Sequence, residues 1–189
     1  MEAIVLSGLP AAGKTTVAEI ISRKLGFKVT GGGEILKEMA LDRGYKVTGK
    51  EWWDTSDGVM FLKEREGNQD FDKEVDRRLA EKIAKGDIVV TSYTAPWIIK
   101  GGFKVWLEGS VENRVKRMAE RDGTLVSEVE NVMKIRDTEN RRLYKNLYNI
   151  DLVGDKKFFD LIVNTNKINA DEVADIIIEK YKERQNKHN

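Results

Sequence analysis

The sequence predicts an α/β fold in which a parallel five-stranded sheet lies between two layers of helices. One observation is that short apolar runs rich in branched residues alternate with segments of helical periodicity. Such an order needs crossover connections, and these produce parallel strands. The other is that the first apolar run leads through a glycine-containing loop straight into a helix, an arrangement typical of phosphate-binding folds.

The individual elements follow from apolar runs, helical spacing and glycine stops. The apolar runs predict strands at residues 3–7, 27–30, 88–91, 104–107 and 161–164. Apolar residues at helical spacing predict a first helix over residues 15–25, which Gly26 ends, and a closing helix over residues 171–182. The whole chain is therefore interpreted as one domain, residues 1–189.

Composition excludes several classes of function. The chain has 33 basic and 32 acidic residues, so its net charge of +1 gives no general attraction to nucleic acid or to an anionic membrane. It has no cysteine, and its one histidine is His188 near the end, so thiolate or histidine chemistry is not expected. No apolar run has the roughly 20 residues of a membrane span. We expect a cytoplasmic protein, a monomer or homodimer, that acts on a small molecule.

Two segments interrupt the alternation of strands and helices. We expect two excursions from the core sheet, an insert over residues 44–71 and a lid over residues 114–148, because excursions near phosphate sites are often mobile lids. The insert contains Trp52, Trp53, Met60 and Phe61, which either line a less polar pocket or pack the insert against the core.

The loop GLPAAGKT, residues 8–15, matches the pattern G-x-x-x-x-G-K-[ST] between a strand and a helix. Its glycines allow successive backbone N–H groups to surround phosphate oxygens, and the helix adds its positive end. Lys14 supplies a charge for the outer phosphates, and the Thr15 hydroxyl can ligate Mg²⁺. The sequence therefore predicts a nucleotide site formed by Gly8, Ala11, Ala12, Gly13, Lys14, Thr15 and Thr16.

Arginines are concentrated in the predicted lid. Arg114, Arg117 and Arg121 recur at helical spacing, and Arg136, Arg141 and Arg142 precede Tyr144 and Tyr148. A transferring phosphoryl group spreads negative charge over its oxygens, and a closing lid can bring arginines to that charge. The alternative is a solvated basic face balanced by neighbouring acidic residues.

These motifs together resemble the P-loop nucleoside monophosphate kinases, and most of all the archaeal-type cytidylate kinases. FDKEVDRRLAEKIAKGDIVV, residues 71–90, resembles their segment around an Asp-Arg-Arg helix, and RDTENRRLYKNLYNID, residues 136–151, resembles their lid. The likeness covers nearly the whole chain except residues 44–68. It implies ATP and Mg²⁺, an acceptor-binding insert over about residues 33–75 and an arginine-rich lid over about residues 117–145. It also implies that Lys14, Arg117, Arg136 and Arg142 surround the transferred phosphoryl, with Asn164 and Asn166 near the adenine.

The acceptor side departs from that family. Where the family has an arginine after Gly33 and Glu34, this chain has Lys37, and where it has acid-Gly-Arg after the third strand, this chain has Thr91, Ser92 and Tyr93. Lysine lacks the bidentate fork of arginine, so the change is not neutral. The acceptor site is predicted to contain Gly33, Glu34, Lys37, Asp76, Arg77 and Tyr93.

Three functions remain open at this point, and a cytidylate kinase that phosphorylates an acceptor phosphate ranks first. A kinase of a non-nucleotide alcohol, such as a phosphorylated mevalonate, ranks second and would profit from a general base. The candidates for that base are Glu34, Asp54, Asp57 and Asp76, with Glu34 nearest the expected acceptor. A nucleotide-binding regulatory module ranks third.

Overall fold

The structure is a computed structural model that describes residues 1–47, 52, 56–65 and 68–188. Its five strands are β1 (Ile4–Ser7), β2 (Lys28–Gly31), β3 (Ile88–Thr91), β4 (Phe103–Glu108) and β5 (Leu161–Asn164). The helices in the described ranges are α1 (Lys14–Leu25), α2 (Gly32–Asp42), α3 (Ser56–Arg65), α4 (Gln69–Lys85), α5 (Ala95–Ile98), α6 (Val111–Asp122), α7 (Val126–Tyr148) and α8 (Ala170–His188).

The strands form one parallel sheet in the order β2-β3-β1-β4-β5. This confirms the predicted fold class, and each predicted strand is present to within one residue at either end. Since α2 to α4 lie between β2 and β3, the chain leaves the sheet there before it returns to the strand next to β2. The switch in strand order around β1 opens a crevice at the carboxyl ends of the strands, where ligands bind in such folds.

The sheet is covered on both faces. One apolar cluster joins its strands to α1 and α8, and the other joins them to α2, α4 and the insert. Trp52 and Phe61 are fully buried in the second cluster, whereas the Met60 side chain is 59% exposed. Trp52 and Phe61 therefore pack the insert onto the core, as the packing interpretation predicted, while Trp53 lies outside the described residues.

The helices α6 and α7 pack against each other beside the crevice, with a small apolar cluster of their own. These two helices contain the arginines of the predicted lid. None of the helices in the described ranges is long and apolar enough to cross a membrane.

Candidate functional site

The loop between β1 and α1 has the geometry of an anion cradle. Gly13 precedes α1 with a φ of 95°, no side chain caps that helix end, and the first turn contains no acidic residue. The first N–H groups of α1 are thus free of side-chain caps, and the positive end of the helix is not neutralised. Gly8 is required for a different reason, because a Cβ there would lie 2.5 Å from the Leu107 carbonyl oxygen.

Ala11 occupies a position of the loop whose backbone conformation would suit a glycine. It adopts a left-handed backbone with a φ of 58°, a conformation that normally favours glycine. Its methyl group packs against the apolar cluster at the base of the α6–α7 pair. The alanine therefore attaches the loop to the lid helices, which a glycine could not do.

Lys14 lies folded back over its own loop. Its Nζ donates to the carbonyl oxygens of Gly8, at 2.7 Å, and Leu9, at 3.0 Å, and lies 4.6 Å from the centre of the Tyr93 ring. Burial, followed by repulsion from Arg114 and Arg136, lowers the pKa of Lys14 to about 7, although Asp137 opposes this. This electropositive, partly desolvated position favours an anion beside the lysine.

A cleft of about 600 Å³ opens above this loop. Three arginines of the predicted lid reach it: Arg117, Arg121 and Arg136. Thr15 and Thr16 are exposed on its floor, and Glu19 lies at its edge. The size and lining of the cleft suit a nucleotide polyphosphate.

Arg142 is not part of this cleft. Its guanidinium pairs with Glu139 at 2.7 Å on the exposed side of α7, and it lines a separate depression with Arg141 and Lys145. Six residues along a helix correspond to a rotation of about 240°, so Arg136 and Arg142 lie on different sides of α7. The structure thus brings Arg136 but not Arg142 to the phosphate loop.

Arg114 differs from the other lid arginines because it is buried. It forms a bidentate pair with Asp137 on α7, at 3.0 and 2.7 Å, and donates to the carbonyl oxygens of Pro10 and Gly109, both at 3.2 Å. One side chain thus connects the phosphate loop, α6 and α7. Sequence reasoning grouped Arg114 with Arg117 and Arg121 as lid arginines on one helix face, since nothing local marks Asp137 as a buried partner.

A smaller cavity of about 190 Å³ adjoins the cleft between the phosphate loop and α8. Arg117 lines it and donates to both the hydroxyl and the carbonyl oxygen of Thr165. Of the predicted adenine neighbours, Asn164 accepts from the Asn166 N–H, and Asn166 accepts from Ser110. These two asparagines shape the loop, while Thr165 lies between them at the cavity.

Two of the residues predicted for the acceptor side, Asp76 and Tyr93, line a cavity of about 80 Å³. It is lined by Gly32, Leu36, Asp72, Val75, Asp76, Leu79, Ser92, Tyr93, Thr94 and Tyr144. These described residues include two carboxylates and neither lysine nor arginine. Tyr93 lines both this cavity and the larger cleft, so the two spaces are neighbours.

In this cavity the Asp76 carboxylate accepts hydrogen bonds from two side chains. One carboxylate oxygen accepts from the Thr94 hydroxyl at 2.9 Å, and the other accepts from the Tyr148 hydroxyl. Burial raises the pKa of Asp76 above its usual value, although both hydrogen bonds lower it, and Asp72 adds to the rise. Neither Thr94 nor Tyr148 was among the predicted site residues.

The remaining predicted acceptor residues lie outside the wall of the cavity. The guanidinium of Arg77 is exposed and pairs with Glu74 and Glu81 on its own helix. Gly33 and Glu34 are exposed on the first turn of α2, and Lys37 lies one turn further along.

Among the other predicted bases, Asp57 accepts from the Lys46 N–H at 2.7 Å, and Asp54 lies outside the described residues. Among the three base candidates that the structure describes, Asp76 is therefore the one that lines the cavity.

Comparison with known proteins agrees with these features. The model of a family described as the cytidylate kinase-like family matches residues 3–167. A cytidylate kinase of Pyrococcus horikoshii is 33% identical over 175 residues, which are 92% of this chain and 85% of the relative. A cytidylate kinase of Pyrobaculum aerophilum is 32% identical over 181 residues, or 95% of this chain and 92% of the relative.

Solved structures show the same fold at low identity. A shikimate kinase from Acinetobacter baumannii, solved in complex with shikimate, has a TM-score of 0.59 at 18% identity. The match covers 97% of this chain and 94% of the shikimate kinase chain. A gluconokinase from Sinorhizobium meliloti has a TM-score of 0.51 at 16% identity, over 95% of this chain and 90% of its own.

Proposed function

This chain belongs to the cytidylate kinase-like family and is an ATP-dependent kinase, and from that premise we propose that it transfers the γ-phosphoryl of ATP to the phosphate of a pyrimidine nucleoside monophosphate, CMP first. The observation that carries the proposal is a pair of neighbouring spaces, a cationic cleft and a smaller polar cavity, which share Tyr93. A phosphoryl transfer needs its donor and acceptor in neighbouring spaces.

The donor half fits ATP. The uncapped end of α1 and the amine of Lys14 would hold the outer phosphates, and the adenine would enter the cavity beside Thr165. Mg²⁺ fits here through the exposed Thr15 hydroxyl, together with phosphate oxygens and water. When bound, Mg²⁺ would supply positive charge to the outer phosphates of ATP. The described residues contain no cluster of three acidic or histidine side chains that could hold a metal by itself.

The residues of the cleft provide charge rather than a proton acceptor. Lys14, Arg117 and Arg136 would hold negative charge as the phosphoryl group moves, because all three residues line the cleft. An acceptor phosphate at pH 7 is an anion and needs no strong base. The mechanism then consists of positioning and electrostatic stabilisation, as is usual in phosphoryl transfer.

The acceptor half fits only one end of a nucleotide. A cavity of about 80 Å³ is smaller than a whole ligand site, which typically measures about 300 Å³ or more. Its carboxylates repel an anion, so we infer that the acceptor phosphate lies on the Lys14 side. The uncharged base then points to Asp76, whose carboxylate can accept a hydrogen bond from an amino group.

A second candidate acceptor, a non-nucleotide alcohol, is kept because of one observation. Asp76 is a partly buried carboxylate with a raised pKa beside the cleft, which suits a general base for an alcohol. The relatives give this candidate no support. Membership of a family of kinases disfavours the third hypothesis, a regulatory module without transfer chemistry.

The test is product identification after incubation with ATP, Mg²⁺ and one acceptor at a time. CMP, UMP, dCMP, AMP and phosphorylated small alcohols form the panel, and the Lys14→Ala variant is the negative control. We expect CDP as the main product. Turnover with an alcohol alone would select the second candidate, and no turnover with any member of the panel would overturn both.

The bounds of the insert and the lid, the monomer or homodimer, the absence of nucleic-acid and membrane partners and the cytoplasmic location stay predictions from the sequence.

A further inference from the structure

Three separate elements meet at the carboxylate of Asp76. Asp76 lies in the middle of α4, Thr94 directly precedes α5, and Tyr148 is the last residue of α7. The Thr94 hydroxyl donates to one oxygen at 2.9 Å, and the Tyr148 hydroxyl donates to the other. A carboxylate bound through both oxygens cannot turn freely, so its remaining lone pairs have a fixed direction.

The position of Tyr148 is itself fixed by the way α7 ends. Asn149 adopts a left-handed backbone with a φ of 55°, which stops the helix immediately after the tyrosine. Ile150 is buried, and its N–H donates to the carbonyl oxygen of Tyr144 at 3.3 Å. The tyrosine hydroxyl therefore sits at a defined point, where the lid helix reaches the acceptor cavity.

The same helix contacts the donor side. Arg136, three turns before Tyr148, reaches the phosphate cleft, and the ring of Tyr144 lies 5.8 Å from the ring of Tyr93. One rigid helix thus contacts the donor cleft at one point and holds the acceptor-side carboxylate at another. A displacement of α7 would change both sites together.

We propose that Tyr148 is a positioning residue for acceptor recognition, because its hydroxyl orients the Asp76 carboxylate toward a hydrogen-bond donor on the acceptor and ties that carboxylate to the lid helix. The inference rests on the proposed function, because it requires that Asp76 faces the acceptor. The chemical class it selects is an acceptor with an amino or hydroxyl donor at the end remote from its phosphate.

The hydrogen bond also has an electrostatic consequence. The groups that face Asp76 are Asp72 on its own helix, Tyr144 and Tyr148 on α7, and Tyr93 and Thr94 after β3. Donation from Tyr148 stabilises the ionised carboxylate and so lowers the pKa of Asp76. Burial and the charge of Asp72 both raise the pKa of Asp76, and the hydrogen bond from Tyr148 counteracts them. Without that hydrogen bond, the pKa of Asp76 must rise.

The test is the Tyr148→Phe variant, with Tyr45→Phe as the matched control. Tyr45 is also a half-buried tyrosine whose hydroxyl donates to a carboxylate, Glu64 at 2.9 Å, but it lies outside the cavity. We expect Tyr148→Phe to raise the KM for the acceptor about 5- to 20-fold, with the KM for ATP within about twofold of wild type. The acid limb of kcat/KM for the acceptor should move to higher pH, and Tyr45→Phe should change neither.

A second readout does not depend on the acceptor. The Asp76 carboxyl carbon can be titrated by ¹³C NMR, with its resonance assigned from its loss in Asp76→Asn. We expect its pKa to rise in Tyr148→Phe and in Thr94→Val, but not in Tyr45→Phe. If no acceptor in the panel is turned over, the proposed function fails while this titration still tests the inference.

An unchanged Asp76 titration in Tyr148→Phe would overturn the proposal. The proposal would also be overturned if Tyr148→Phe and the Tyr45→Phe control had the same KM for the acceptor. Tyr148 would then matter no more for acceptor binding than a tyrosine outside the cavity.

Discussion

The donor cleft and the acceptor cavity differ in how the chain builds them. Most of the donor cleft comes from one continuous stretch, residues 8–16, to which α6 and α7 add cations. The acceptor cavity is assembled from side chains on several helices and a loop, and its polar groups are carboxylates and hydroxyls. The first is a site for charge, made locally, whereas the second is a site for hydrogen bonding, made by tertiary packing.

The largest expected effect comes from the residue that defines the donor half. We expect Lys14→Ala to lower kcat by at least about 10³-fold, because no other side chain of the loop carries a charge. The matched control is Lys24→Ala on the same helix, which loses only exposed pairs with Asp171 and Asp175. Steady-state kinetics with the best acceptor measures both variants. Turnover by Lys14→Ala within tenfold of wild type would remove the lysine from the mechanism.

The buried pair between Arg114 and Asp137 tests whether the lid is anchored to the donor loop. Arg114→Met leaves Asp137 without its partner and should lower the free energy of unfolding by about 3–5 kcal/mol. The double variant Arg114→Met with Asp137→Leu should recover much of that loss, since no charge is then left unpaired. Urea unfolding measures all three proteins. A single variant as stable as wild type would show that the pair does not hold α6 and α7 together.

Arg136 and Arg142 lie on the same helix, α7, but we expect them to contribute differently to catalysis. Arg136→Ala should lower kcat about 10²-fold with a smaller effect on ATP affinity, because its charge acts mainly on the transition state. Arg142→Ala should change kcat less than about threefold, since its guanidinium faces away from the cleft. Equal losses in the two variants would mean that the lid rearranges during turnover so that Arg142 enters the site.

The smallest expected effect concerns Ala11. Ala11→Gly relieves a left-handed alanine, worth about 1 kcal/mol, but loses the methyl contact with the lid base, worth about as much. The net change in unfolding free energy should stay below about 1 kcal/mol, and kcat should be unchanged. Thermal unfolding and kinetics measure the two quantities. A loss above about 2 kcal/mol would mean that the methyl contact stabilises the protein far more than the left-handed backbone destabilises it.

The difference between the two halves also explains what the sequence could predict. The loop motif is contiguous, so Gly8 to Thr16 could be recognised as one unit, and the alternation of strands and helices predicted the five-stranded parallel sheet that the structure confirms. Contacts between distant segments leave no local pattern. Thr94 and Tyr148 reach Asp76 across 18 and 72 residues, and Arg114 reaches Asp137 across 23.

Arg77 shows the opposite limit of sequence reasoning. The resemblance of the Asp-Arg-Arg segment to that of the cytidylate kinases predicts Arg77 in the acceptor site. On a helix, however, the side chain after Asp76 points about 100° away from it. The structure pairs it with Glu74 and Glu81 on the surface of α4. A shared motif identifies a helix more reliably than it identifies which of its side chains face the site.

The central claim is that the two halves are the ends of one transfer site, and a bisubstrate mimic tests it most directly. Such a molecule carries adenosine and cytidine at the two ends of a five-phosphate chain, and its binding is measured by isothermal titration calorimetry. We predict one molecule per chain, competition by ATP and by CMP separately, and weaker binding to both Lys14→Ala and Asp76→Asn. Competition by ATP alone, with Asp76→Asn binding as well as wild type, would contradict the account.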